Sequence, residues 1–302
     1  MQKPYKEIDL IEFEKRFRTE KQCERRLFKL RWPKGFTCPE CSHKEYFNLP
    51  KRKLFQCKKC GYQASLTAGT IMHGTKTTLL KWFWAIYLVS TDKRGISALA
   101  LSKRLKISYW VAWTMLQKIR KAMRDRDSNY KLNGIIEIDD SFFGSRKEGG
   151  KRGRGSSKKA VIIEASTTDK GGIGYARMQV VDAVDGEHIK RVVKADVKDN
   201  QVVKTDGYKS YESVKKLGHR HQKEVVKGRK AHTVLRWVHI LSSNAKAFIS
   251  GTYHGIDKKH LQAYLDEFCY RFNRRRWEYQ LFDRLVTACA NSSGMTYSEL
   301  TQ

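Results

Sequence analysis

Four cysteines and two aspartates carry the chemistry that can be read from this chain. Cys38-Pro-Glu-Cys41 and Cys57-Lys-Lys-Cys60 are two CxxC knuckles separated by fifteen residues. Each knuckle sits on a tight turn that aims two thiolates at one point, and the two together complete a tetrahedral site suited to Zn2+. Four thiolates leave no open coordination position, so zinc there would be structural and not catalytic. The aspartates read differently. Asp139 ends Ile135-Ile-Glu-Ile-Asp139 and Asp206 ends Gln201-Val-Val-Lys-Thr-Asp206, each an apolar run of strand character that delivers a carboxylate at its end. Phosphodiester chemistry with two divalent ions needs anionic oxygens from separate elements, converging on ions roughly 3.5–4 Å apart. Either acid alone would read as a turn cap or a surface charge; two such strands in so basic a chain read as a pair.

The charge is the second signal. Sixty-one Lys and Arg against 31 Asp and Glu give +30, an excess beyond what solubility requires and suited to a polyanion, most simply a nucleic-acid backbone. A hydrophobic content of 40% over 302 residues allows a real core and two or three domains. The most apolar stretch, Leu79–Val89, contains Lys81 and falls well short of the roughly 20 residues of a membrane span. Met1–Leu10 carries both charge signs and lacks the apolar core of a signal peptide. Seven cysteines, four of them in a metal pattern, imply a reducing cytoplasm, with Cys23, Cys269 and Cys289 as ordinary thiols. A DNA partner would place the protein on the nucleoid.

Around these residues the sequence sets out an order of elements. Residues 9–31 predict one basic helix, with Ile11, Phe13, Phe17, Cys23, Leu27 and Leu30 on one face and Pro33 and Gly35 ending it. Tyr46–Leu49 and Leu54–Gln56 predict a hairpin between the knuckles, and Thr78–Ser90 a buried helix. Ile96–Leu105 and Tyr109–Arg120, joined by a tight turn with Ser108 as cap, outline a helix-turn-helix or a plain helical hairpin, with Trp110 and Trp113 as base contacts or core. After Gly134 the texture alternates: strands at 135–144, 160–165 and 174–181, a short helix at 187–193, the strand ending at Asp206, a helix at 208–217, a possible edge strand at 220–226 and a long helix at 233–249. Arg146–Lys159 reads as a basic loop. The domains expected are an N-terminal helical segment (1–35), a zinc ribbon (36–70), a helix-turn-helix-like region (76–130) and an α/β domain of ribonuclease-H-like layout (131–290), a mixed sheet flanked by helices.

Several segments carry a family resemblance: Cys38–Cys60, Ile-Glu-Ile-Asp139-Asp140-Ser-Phe-Phe-Gly144, Lys-Thr-Asp206-Gly-Tyr-Lys-Ser-Tyr211, His232-Thr233, Gly251-Thr-Tyr-His254, and Lys259–Phe268 followed by Arg271-Phe-Asn-Arg274-Arg275. From about residue 20 to 290 the chain resembles the zinc-ribbon transposases of bacterial insertion sequences, and most closely the insertion-sequence family numbered fifteen ninety-five. The resemblance implies a DDE-type domain that binds terminal inverted repeats, nicks the 3′ ends and joins them to double-stranded target DNA, with structural Zn2+ and catalytic Mg2+ or Mn2+. It makes Asp139 and Asp206 the first two catalytic carboxylates and Asp140 a reserve. A homodimer or higher oligomer on DNA is expected, because two element ends must be handled together, and no membrane partner.

The third acid is missing from its expected place. In the family a Glu lies on the late helix seven residues before a Lys; counting back from Lys246 gives His239. Seven residues are about two turns, so the two share a face. Asn244 is the other candidate, because the Ser-Asn244-Ala-Lys246 run resembles members with Asn as third ligand, although it lies nearly opposite Lys246 on the helix. Neutral imidazole suits Mn2+ better than Mg2+. Asp257, Asp266 and Glu267 fall after a break expected at Gly251, and the last two sit in an amphipathic segment that reads as packing. The arginines at 271, 274, 275, 276 and 284 read as a basic face able to grip phosphates. An active transposase competes with a non-enzymatic zinc-ribbon DNA-binding protein or inactive relic, and with an RNA-directed protein.

Overall fold

Thr19 makes the first division of the chain. In the computed structural model, which describes residues 8–144, 158–168, 170–225 and 234–301, the stretch expected as one helix is two, α1 (Leu10–Arg16) and α2 (Glu20–Arg31). The cause is a capping box: Gln22 N–H donates to Thr19 Oγ1 at 3.3 Å, and Thr19 N–H donates to Gln22 Oε1 at 2.9 Å. A new helix start at Thr19 outweighs the continuous apolar period across it. Phe13, Phe17, Cys23 and Leu27 are buried, whereas Ile11, expected on the same face, is 66% exposed.

The ribbon is a three-stranded antiparallel sheet in the order β1 (Tyr46–Leu49), β2 (Leu54–Cys57), β3 (Gln63–Ser65), one strand more than the expected hairpin. Its core is aromatic and is shared with α2. Phe36 and Tyr46 lie 4.8 Å apart by ring centroid, Tyr46 and Phe55 5.3 Å, and Phe28 and Trp32 4.9 Å. The helices α3 (Leu79–Thr91), α4 (Ala98–Leu105) and α5 (Tyr109–Asp127) follow. Ser108 Oγ accepts from Val111 N–H at 3.3 Å, as a cap for α5 should. Among the described residues no helix is long and apolar enough to cross a membrane.

The chain divides into two units: residues up to Arg126 together with those from Trp277 onward, and Asp127–Arg276. The second unit holds a five-stranded sheet in the order β6-β5-β4-β7-β8, formed by β4 (Ile135–Phe143), β5 (Lys159–Thr167), β6 (Ile173–Val181), β7 (Val202–Thr205) and β8 (Arg220–Lys223). β4, β5 and β6 form an antiparallel meander, while β7 pairs parallel to β4 and β8 parallel to β7. An antiparallel meander whose first strand is extended by two parallel strands is the ribonuclease-H-like sheet. Helix α6 (Gly186–Asp196) makes the crossover that parallel pairing requires. The segment Lys209–Leu217, expected as an α-helix, is wound as a 3-10 helix.

Strand alternation gives the sheet two cores. Ile136, Ile138, Ile162 and Val203 pack with Ile189 and Val193 of α6 and with Tyr211 and Val214 on one face. Phe143, Val161, Ile163 and Met178 pack on the other with Val238, Leu241 and Ala245 of α7 (Arg236–Thr252) and with Leu265 of α8 (Leu261–Asn273). Helix α7 continues through Gly251, where a break was expected. Residues 160–166 of β5 are all buried, the continuous burial of a strand covered on both faces.

The late helix α9 (Leu281–Asn291), expected within the 131–290 domain, instead joins the first unit. The reason is aromatic packing: Phe282 meets Phe13 at 5.4 Å, Phe17 at 5.5 Å and Tyr87 at 6.1 Å. Truncating a fully buried Phe costs about 3–5 kcal/mol. Phe282→Ala should therefore lower the stability of the first unit by that amount, read as a shift of its denaturant midpoint, with the sheet of the second unit unaffected.

Candidate catalytic centre and zinc site

The two cysteine knuckles fold alike. Ser42 N–H donates to the Cys38 carbonyl at 2.9 Å, and Gly61 N–H to the Cys57 carbonyl at 3.1 Å; Cys38 N–H returns to the His43 carbonyl and Cys57 N–H to the Tyr62 carbonyl. Ser42 and Gly61 occupy the same left-handed position, at φ 60° and 71°, where glycine is unstrained and serine is not. Cys38 Sγ lies 3.6 Å from Cys60 Sγ, and Cys41 Sγ 3.5 Å from Cys57 Sγ. Four sulfurs at about 2.3 Å from one zinc ion would stand about 3.8 Å apart, so the donor set fits a tetrathiolate zinc site. All four ligand atoms lie within 4.8 Å of one another, and this is the one such cluster of His, Cys, Asp and Glu among the described residues.

The carboxylate pair comes from the parallel edge of the sheet. β4 and β7 are in register Ile136↔Val203, Glu137↔Lys204 and Ile138↔Thr205. One residue beyond the last of these pairs, Asp139 continues β4 and Asp206 follows the end of β7, so the two acids come at the same end of adjacent parallel strands. Both side chains are partly buried. Asp139 Oδ1 accepts from Asp140 N–H at 2.8 Å, and Asp206 Oδ1 from Tyr208 N–H at 3.0 Å. Alternation separates the two adjacent acids of β4. Asp139 shares a face with Glu137 and Ser141, both of which bond to α7, whereas Asp140 lies on the α6 face and accepts from Tyr211 Oη at 3.3 Å. The reserve acid thus points away from Asp206's partner.

Helix α7 lies across the Asp139 face at two contacts. Glu137 Oε2 accepts from Trp237 N–H at 2.8 Å and Val238 N–H at 3.3 Å. Ser141 Oγ bonds Ser242 Oγ at 2.8 Å and accepts from Lys246 Nζ at 2.7 Å. At about 100° per residue, His239 and Lys246 lie about 60° and 40° to the same side of Ser242, whereas Asn244 lies about 160° from it. His239 and Asn244 are both exposed. Burial first, and Lys158 second, lower the pKa of Lys246. The His232-Thr233 pair of the expected motif lies outside the described residues, as do the start of the expected helix at Thr233, the end of the expected edge strand at Val226 and most of the basic loop 146–159.

Three residues of this centre carried no signal in isolation. Burial pushes the Glu137 carboxyl above its ordinary pKa, against the opposing pull of the Trp237 and Val238 N–H groups and of Lys204. On the far side of Asp206, Thr205 Oγ1 donates to the Asp206 carbonyl at 2.9 Å and stands 2.7 Å from His221 Nε2. With the hydroxyl proton committed to that carbonyl, its oxygen accepts from the imidazole. Burial, then Lys215, lowers the pKa of His221, which favours this neutral form.

The arginine run is a correction. Arg271 pairs with buried Glu267 at 2.8 Å, Arg274 with Asp127 at 2.7 Å, and Arg275 donates to the carbonyls of Ile173, Gly174 and Phe272. These guanidinium groups are committed to internal acceptors and are not a solvated grip; Arg276 and Arg284 remain exposed. Asp266 accepts from Gln262 at 2.8 Å, and Glu267 also accepts from Tyr253 Oη at 3.3 Å, the packing role expected of this acidic pair.

Residues 18–63 match the transposase zinc-ribbon domain, and residues 131–273 the ISXO2-like transposase domain. An uncharacterized protein in transposable element ISH50 of Halobacterium salinarum is 23% identical over 272 residues, covering 84% of this chain and 91% of that protein. Among solved structures, the catalytic core domain of BIV integrase is similar over 48% of this chain and 86% of that one, at 12% identity and TM-score 0.31. The Mos1 transposase paired-end complex with left transposon end is similar over 73% and 82%, at 10% identity and TM-score 0.20. With a transposase zinc ribbon ahead of an ISXO2-like transposase domain in one polypeptide, this chain belongs to the zinc-ribbon DDE transposases of insertion sequences.

Proposed function

We propose that this protein binds the terminal inverted repeats of its element and catalyses metal-dependent cleavage of the DNA strand and its transfer into target DNA. The observation that supports this most directly is the register Ile138↔Thr205, beyond which Asp139 and Asp206 are the next residues at the same end of adjacent parallel strands. Asp139, Asp206 and His239 would hold the catalytic ions, Mg2+ or Mn2+. When bound, such ions activate the attacking hydroxyl and neutralise charge on the leaving oxygen. Two anionic oxygens and one imidazole nitrogen form a donor set that suits Mn2+ at least as well as Mg2+. The angular position of His239 beside Ser242 and Lys246, on the side of α7 that reaches Ser141, favours it over Asn244 as third ligand.

The remaining groups hold and orient. Lys246, with its ammonium over the Phe143 ring at 5.3 Å and bonded to Ser141, is placed to contact a phosphate. Thr205 and His221 fix the backbone of Asp206. In the first unit, α4 and α5 serve as a helix-turn-helix. Trp110, 63% exposed at the start of α5, and its neighbour Tyr109 stand where a recognition helix meets base edges. Exposed Lys103, Arg104 and Lys106 supply phosphate contacts. Two ends processed together call for at least a homodimer on DNA.

A second reading, a DNA-binding protein without strand transfer, is favoured by one feature: a neutral side chain stands where a third carboxylate is expected. Asp139→Asn and Asp206→Asn separate the two. Each should lower strand transfer roughly 10³-fold while leaving end-binding in a mobility-shift assay intact; activity equal to the parent chain would overturn the catalytic reading. For the third ligand, His239→Ala should weaken Mn2+ binding and strand transfer about 100-fold, with Asn244→Ala near the parent chain, as measured by calorimetry and turnover; the reverse order assigns the role to Asn244. Cys57→Ser should drop zinc below one per chain and weaken end-binding, and zinc retained at one per chain would count against the ribbon site.

A further inference from the structure

Helix α7 begins without a cap of its own. Its N-cap residue, Leu235, is in the left-handed region at φ 54° and offers no side-chain acceptor. The N–H groups that an N-cap side chain ordinarily satisfies belong to the second and third helical residues, here Trp237 and Val238. Both are met from another element, by Glu137 Oε2 of β4 at 2.8 and 3.3 Å. Glu137 is only 9% exposed, and a carboxylate at a helix N-terminus is also favoured by the helix dipole.

The second contact, Ser141 with Ser242 and Lys246, lies further along both elements. From Glu137 to Ser141 the strand advances about 13 Å, and from Trp237 to Lys246 the helix advances about 13.5 Å. To Ser242 the helix advances only about 7.5 Å, so the two elements cross at an angle and the long Lys246 side chain reaches back to Ser141; along the strand Asp139 sits midway between the two contacts. Loss of either would let the helix pivot about the other. A one-residue rotation turns it by about 100°, enough to carry His239 off the Asp139 side.

We propose that Glu137 is a positioning residue: from the strand that bears Asp139, its carboxylate caps α7 and fixes the rotation and height at which that helix presents His239 and Lys246. The proposal rests on the reading of Asp139, Asp206 and His239 as the metal-binding set. Glu137 touches neither substrate nor reacting atoms; it acts through α7.

Glu137→Ala, Glu137→Asp and Glu137→Gln in the full chain provide the test, with Asp139→Asn alongside. In metal-free protein, amide exchange should show Trp237 and Val238 losing protection in the Ala variant and in the Asp variant, which keeps the charge but is one methylene short of reach. The Gln variant, whose carboxamide oxygen still accepts, should keep that protection. The Mn2+ dissociation constant should rise 10–100-fold in the Ala and Asp variants, and kcat for strand transfer should fall by a similar factor, with KM for DNA unchanged and Gln close to the parent chain. Should the Ala variant fail to fold, the Asp and Gln pair carries the comparison. Lost protection with unchanged Mn2+ affinity and kcat would overturn the proposal. So would an active Asp variant beside an inactive Gln variant, which would make the charge itself the operative feature. Strand transfer surviving in Asp139→Asn would instead overturn the reading of the centre, a result distinct from either.

Discussion

The parallel pairing of β4 with β7 is the constraint on which the second unit depends. A parallel pair cannot be closed by a tight turn, so the chain must leave the sheet and return, and α6 is that return. Once the pair forms, its register carries Asp139 and Asp206 out at the same end of two adjacent strands. Two carboxylates at one end of a strand pair repel one another in the absence of cations, so the strands must be secured from elsewhere. The apolar clusters on both faces do this: Ile136, Ile138 and Val203 are buried on one side, and Val161, Ile163 and Met178 on the other.

The parts of this arrangement legible in the sequence were those decided locally. The knuckle spacing is a local geometry, and so are the apolar runs ending at Asp139 and Asp206 and the cap at Ser108. The parts not legible were those decided by a distant partner. Glu137 is one more alternating residue until α7 arrives a hundred positions later to be capped by it. The arginines at 271, 274 and 275 have the composition of an exposed face; only the fold reveals Glu267, Asp127 and a row of strand-end carbonyls waiting for them. The division of the first helix was written in Thr19 and Gln22 but outvoted by an apolar period running through it. Helix α9 has an amphipathic pattern that fits either unit, and only the Phe13–Phe17–Phe282 contacts decide between them.

Charge is divided by role. Part of the net +30 of the chain is used internally: Arg271 pairs with Glu267 within α8, Arg274 with Asp127, and Arg275 donates to the β6 carbonyls of Ile173 and Gly174. Among the exposed cations of the described residues are Lys103 and Arg104 on α4, Lys106 at the turn before α5, and Lys246 on α7 near Ser141. In each place an exposed cation accompanies a group of more specific shape: Trp110 on α5, His239 on α7.

The first unit is assembled from two stretches of chain separated by the 150 residues of the second, Asp127–Arg276. On the ribosome, at about 5–20 residues per second, that interval lasts on the order of ten to thirty seconds. Throughout it Phe13, Phe17 and Phe83 lack the ring of Phe282 that completes their cluster. The five-stranded sheet can close while the helices encoded before it still wait for their last member. A nascent chain interrupted before Trp277 would thus carry the carboxylate strands but an unfinished first unit, so completion of that unit is deferred to the end of synthesis.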